Sequence, residues 1–162
     1  MASSTTQSIW RSGGGDTTKT AYAGSMLMTA SFFIANVAAT SRNVQRSSTN
    51  TTAVILPIGA VVTSIAIAAT TSTGGSSPTV DFGFTLYATG TASTAALANE
   101  VPSDARQEVN LNSTTDGASM GIPMSATEMV YLTAGVGASA ATSGTITGYV
   151  TYFVPTDGQY TA

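Results

Sequence analysis

The stretch AVILPIGAVVTSIAIAA, residues 53–69, constrains this chain more than any other. It is the longest apolar run, and Val54, Ile55, Ile58, Val61, Val62, Ile65 and Ile67 within it are β-branched. Such side chains lose rotamer freedom in a helix and pack well on a pleated surface, so the run reads as strand. Pro57 removes a backbone donor, and Gly59 tolerates the turn that follows. The expectation is a short strand, a Leu56-Pro57-Ile58-Gly59 corner, and a second strand from Ala60. In the second strand Val61, Thr63, Ile65 and Ile67 share one face, and Val62, Ser64, Ala66 and Ala68 the other. The rival is a membrane span. Against it, the run is slightly short, carries Pro57 and Gly59 near its middle, and has no basic flank.

The rest of the chain must fold onto this run. Charged residues make up only 8% of the 162, against roughly 25% in ordinary soluble domains. Hydrophobic residues reach 43% and net charge is only -3, which is not the composition of a disordered chain. Thr, Ser, Ala and Gly replace the missing charges. A surface so poor in charge solubilises a free monomer badly, so the expectation is that other subunits cover much of it. The alternative is a monomer kept soluble by hydroxyl groups. Arg11, Lys19, Arg42 and Arg46 oppose Asp16 alone in residues 1–50, whereas Arg106 stands against seven acids in residues 51–162. A basic head on an acidic body suits an acidic partner or the body of a neighbouring copy.

Residues 1–24 have no period of either kind and are mostly Ser, Thr and Gly, with Ile9, Trp10 and Tyr22 as their larger apolar members. They cannot build a core of their own. Extended, they span on the order of 80 Å. They read either as a frayed terminus or as an arm that orders on a partner, anchored by Ile9 and Trp10 with Arg11 beside them. Residues 25–162 read as one domain. Met26–Val37 is a strand candidate, with a helix as the other possibility, and residues 38–50 are a polar link carrying Arg42 and Arg46. Residues 70–78 are a loop rich in Gly and Ser. Thr79–Thr89 alternates clearly, with Val80, Phe82, Phe84 and Leu86 on one face. Thr91–Asn99 is Ala-rich and is read as one or two helical turns, and residues 100–104, with Pro102, as a turn. Strands are expected over Arg106–Leu111, Glu128–Thr133 and Thr145–Val154, with 135–144 a loop and the last two strands forming a hairpin. About eight short strands at even spacing argue for an all-β antiparallel β-sandwich of the jelly-roll kind, with an extended N-terminal arm.

Catalytic chemistry finds no foothold. The chain has no cysteine and no histidine, which excludes disulfides, thiolates, imidazole bases and the commonest zinc sites. GGGDTTKT, residues 13–20, resembles a phosphate-binding loop, but Thr18 stands where the second glycine belongs and no strand precedes it. Asp81-Phe82-Gly83 copies a kinase metal-binding triplet inside an alternating strand, with no catalytic-loop motif elsewhere. Glu100, Asp104 and Glu108 stand four apart, but a glycosidase acid pair needs a cleft with stacking aromatics, and a solvated loop is the plainer reading. No dense Asp/Asn loop supports calcium. The basic residues form no continuous patch for nucleic acid. Residues 1–10 lack the charged and apolar regions of a secretory signal, and the sequons at Asn50 and Asn112 read as chance matches. No cofactor, metal, nucleic acid or membrane is expected.

The run ILPIGAVVTSIAIAATTSTGGSSPTVDFGFTLYATG, followed much later by SGTITGYVTYFVP, resembles small structural proteins of tailed bacteriophages. These are decoration or cement proteins of the capsid exterior and related virion components. The shared features are a Leu-Pro-x-Gly-Ala corner, a Ser/Gly loop, a strand with Asp-x-Gly and a closing Gly-Thr-Ile strand, over residues 53–154. The resemblance implies a β-sandwich bound outside a capsid, its partners the major capsid protein and copies of itself in a trimer or dimer. Partner-binding residues are expected in the arm and link: Ile9, Trp10, Arg11, Tyr22, Arg42 and Arg46. The alternative is a carbohydrate- or protein-binding module of a phage collar, tail or fibre. An enzyme is not expected.

Overall fold

Alternation of apolar residues with Thr, Ser and Gly drives this chain into strands, because one pleated face can then be buried while the other stays wet. The computed structural model describes residues 27–35, 42–70, 77–110, 117–139 and 143–155. Nine strands form there: β1 (Met28–Ile34), β2 (Arg42–Asn43), β3 (Ile55–Leu56), β4 (Val61–Thr70), β5 (Thr79–Leu86), β6 (Ala92–Pro102), β7 (Gln107–Asn110), β8 (Val130–Val136) and β9 (Ile146–Phe153). There is no helix among the described residues. All strand pairings are antiparallel, and the two sheets pack as a β-sandwich.

One sheet runs β1-β9-β4-β7. The other runs β2-β8-β5-β6, with β3 on the same strand β8. β2 and β3 are two pieces of one interrupted edge strand. Val44 N–H donates to the Leu132 carbonyl at 2.9 Å, and Leu132 N–H donates to the Val54 carbonyl at 3.0 Å. Between them, residues 45–53 fold out as a finger closed by the Gln45–Ala53 bridge. Gln45 also exchanges two backbone bonds with Phe33, at 2.7 and 2.9 Å, so the finger's base covers the outer edge of β1 and ties the sheets together. With β2 and β3 counted as one, only β5 and β6 follow each other within a sheet; every other connection crosses the sandwich.

The interior is filled from both sheets. Phe32, Ile34, Ile65, Ile67, Ile146 and Val150 point in from one, and Val80, Phe82, Leu97, Leu132 and Ala134 from the other. Burying one such large side chain is worth about 1.5–3 kcal/mol, so the core is the main source of stability. The Asp81 strand alternates as its sequence implies, with Val80, Phe82 and Phe84 buried and Leu86 packed against the core. The Pro-Gly corner also forms. It joins β3 to β4, and Gly59 adopts φ 76° there.

Several expectations are corrected. Residues 91–99 are not helical, because they form most of β6, the edge partner of β5. Alanines suit this strand because it bulges. From Phe82↔Ala98 to Phe84↔Ser93, β5 advances two residues while β6 advances five, and Ala95 and Glu100 take φ 58° and 55°. Pro102 lies inside the strand, and the turn begins at Ser103. The last two strands form no hairpin. β8 has β5 on one edge and β2/β3 on the other, while β9 lies in the opposite sheet between β1 and β4. In β4 the expected faces fail at a bulge between Val62 and Ser64, so that Val62, Ile65 and Ile67 all face the core. The polar link contributes Val44 to the interior, and Gly135 and Val136 extend β8 rather than open a loop.

Candidate functional site

The corner at Pro57–Ala60 is short, so it brings two rows of residues to the same end of the sandwich. In one sheet Met28, Tyr152 and Val62 stand in register. In the other, Leu56, Val130 and Leu86 do. Just beyond these rows lie Leu27, Ile58, Tyr87 and Met129, with the Tyr87 N–H bonded to the Met129 carbonyl at 2.9 Å. Residues 117–125 form a strap over the same end. Gly117 and Ser119 N–H groups bond to the Leu97 and Ala96 carbonyls of β6, and Gly121 and Met124 to the Val62 and Ala60 carbonyls at the start of β4. A β-carbon on Gly117 would lie 2.2 Å from the Ala96 oxygen, so only glycine lets the strap sit this close. Met120 and Met124 turn into the core and leave Ile122 outside.

The result is an apolar end. Leu27, Ile58, Tyr87, Ile122 and Met129 are each between 40% and 65% exposed, and the remaining large exposed hydrophobic side chain among the described residues, Tyr149, lies elsewhere. Glu128 is the one charged residue described at this end. Its carboxylate is turned onto the turn after β5, accepting from the N–H groups of Ala88 and Thr89 and from the Thr89 hydroxyl. Tyr87 stacks on Tyr131 with ring centroids 5.0 Å apart, which holds its ring at the rim. Apolar side chains fixed on paired backbone, without charge among them, make a surface suited to another protein rather than to a small ion.

Of the residues expected to bind a partner, Ile9, Trp10, Arg11 and Tyr22 lie outside the described residues. Leu27, the first described residue, is at the apolar end. Arg42 is half-buried on β2, in register with Ala134 and Phe82 and away from the apolar end. Arg46 is exposed on the finger, where its carbonyl accepts from the Ser31 hydroxyl at 3.3 Å. The two arginines do not converge with the apolar end. Ile58, Tyr87, Ile122 and Met129 are not among the residues expected from the sequence to bind a partner, although each is a large apolar residue in or beside a turn.

The spaced acids do not converge either. Glu100 sits in β6, where its carboxylate accepts the Thr79 hydroxyl and the Ala138 N–H, both at 2.7 Å. Asp81 accepts the Glu100 N–H at 2.7 Å. Burial pushes the Asp81 carboxyl above its usual range; the backbone hydrogen bond from Glu100 lowers it, and the Glu100 charge raises it further. This network pins residues 137–139 to β5. Glu108 is on β7, in the other sheet. Among the described residues no three Asp, Glu, His or Cys groups gather as metal ligands. No described helix is long and apolar enough to cross a membrane. Set against known protein families, curated proteins and solved structures, the chain matches none of them, and its own geometry must carry the functional reading.

Proposed function

We propose that this protein is a structural subunit of a virion, a decoration protein that docks on the outside of a tailed-phage capsid by the apolar end of its sandwich. The observation that carries the reading is the gathering of Leu27, Ile58, Tyr87, Ile122 and Met129 at one end, with the carboxylate of Glu128 occupied by the turn after β5. The strand order supports it. With β2 and β3 taken as one strand, the order β1-β9-β4-β7 over β2-β8-β5-β6 supports the jelly-roll reading, an architecture used by capsid and lectin domains. The scarcity of charge over the whole chain supports a molecule that lives against other subunits. Fold alone names no function, so the weight rests on the apolar end.

The mechanism is adhesion. Each apolar side chain buried in the contact contributes a modest amount, at most about 1.5–3 kcal/mol. Residues 1–24, with Ile9, Trp10, Arg11 and Tyr22, are proposed to bridge to the shell or to a neighbouring copy, so that several contacts are made at once. Dimers or trimers of the chain repeat them with the symmetry of the shell.

Empty capsids of the parent phage provide the test. The exposed positions permit Ile58→Asp and Ile122→Asp without disturbing the core, checked by an unchanged melting temperature. Both variants, and a chain lacking residues 1–24, are expected to co-sediment with capsids at reduced occupancy. Full decoration by the doubly substituted protein overturns the docking end. Self-association of the wild type through that end, with no capsid binding, overturns the capsid reading.

A further inference from the structure

The outer face of the sheet β1-β9-β4-β7 carries an open, shallow depression of about 460 Å³. It lies three residues along β9 from the row at the apolar end, roughly 10 Å away. Its floor is set by alanine. Ala66 stands directly between Tyr149 on β9 and Glu108 on β7, and faces away from the core that Ile65 and Ile67 enter. Ala66 is nevertheless only 4% exposed, because the larger side chains on either side wall it in, and Ala68 continues the floor. Tyr149 is 43% exposed and Arg106 and Glu108 are exposed on the rim.

The rim has a specific chemistry. Arg106, just before β7, and Glu108 both line the depression, yet among the described residues neither side chain has an ion-pair partner, not even the other. A guanidinium offers five donors and a carboxylate only acceptors. Side by side they cancel in charge, so neither a simple anion nor a simple cation is favoured. A neutral ligand bearing several hydroxyls satisfies both. Tyr149 adds a flat apolar ring with a polar tip, a platform for the C–H face of such a ligand. The small floor lets a six-membered ring approach the sheet. We propose that this depression is a binding site for a neutral hexopyranose unit of a surface glycan, with Tyr149 as the stacking platform and Arg106 and Glu108 as the hydroxyl-reading groups. The site is separate from the apolar end and does not depend on capsid attachment.

The test is an amide-resolved NMR titration of the full chain with the methyl glycosides of glucose, galactose, mannose and N-acetylglucosamine. At least one is expected to give saturable shifts confined to residues 66–68, 106–108 and 149. Tyr149→Ala is expected to weaken that binding about tenfold or more, Tyr149→Phe to retain most of it, and Ala66→Leu to abolish it by filling the floor. Thermal melts of each variant separate loss of binding from loss of fold. No saturable shift with any of the four sugars overturns the proposal. So does binding that survives both Tyr149→Ala and Ala66→Leu, or a response to acetate as strong as to any sugar, which marks a plain anion site.

Discussion

Phe32 and Phe82 meet across the middle of the sandwich with ring centroids 5.3 Å apart and planes inclined at 58°. One ring comes from each sheet, and both are essentially fully buried. A tilted pair of this kind adds about 0.5–1.5 kcal/mol beyond the area it buries. Phe82→Ala is therefore expected to cost about 3–5 kcal/mol in urea unfolding, and Phe32→Ala a similar amount. The double variant should lose less than the two single losses combined, by the energy of the ring contact. Strict additivity would show that the rings touch without coupling.

Gly83 tests the bulge in β6. A β-carbon there would lie 2.1 Å from the Ser93 carbonyl oxygen and 2.9 Å from the Thr94 Cα, both backbone atoms that cannot swing aside. Gly83→Ala is expected to destabilise by about 1–3 kcal/mol, as overpacking does. Gly90→Ala makes the control. Gly90 has φ +71° and open space around it, so its variant suffers the dihedral penalty alone, about 1–2 kcal/mol. Hydrogen exchange separates the two, since only Gly83→Ala should speed exchange along residues 92–98.

Glu100 holds the stretch after β8. With both carboxylate oxygens engaged, by Thr79 and by Ala138, Glu100→Ala should cost about 1.5 kcal/mol, the lower end for hydrogen bonds to a charged group. The amides of Ala138 and Ser139 should exchange faster while Phe82 is unaffected. Global destabilisation without that local signature would contradict the pinning role.

Asp81 gives the pH dependence a sign. Its folded carboxyl holds its proton more tightly than the ordinary value of 3.8 implies. A raised acid contributes stability below the unfolded value and loses it as pH rises through the folded one. Asp81→Asn removes that loss. The stability of Asp81→Asn relative to wild type should therefore climb between pH 3.8 and neutrality and then level off, measured by urea unfolding across that range. A flat difference would mean that the Glu100 N–H fully offsets the burial.

Much of the fold could be read from single strands, and little of the site could. Val80, Phe82 and Phe84 alternate without interruption, and the Pro57–Gly59 corner carries its own turn chemistry, so both formed as read. The phase of β4 did not, because the bulge after Val62 arises from pairing with β9, eighty to ninety residues away. β6 was misread for the same reason. Its alanines favour a helix locally, and the open edge of β5 overrides them. Leu27, Ile58, Tyr87, Ile122 and Met129 come from five separate segments, and no spacing rule unites them. The Tyr149 depression needs two strand registers at once, β9 on β4 and β7 on β4, before Ala66 becomes a floor.

The place of β9 has a consequence for how the molecule is made. Ile146–Phe153 fills the slot between β1 and β4, a gap of roughly 10 Å that no earlier strand fills. Until the ribosome has delivered these residues, the facing backbone edges of β1 and β4 have no strand between them, and the sheet is limited to β4 with β7. Nearly all its contacts join distant parts of the chain, which makes closure late and slow. A half-synthesised copy therefore lacks the strand that joins Met28 to Val62, and that end of the sandwich is complete only when the last strand slides home.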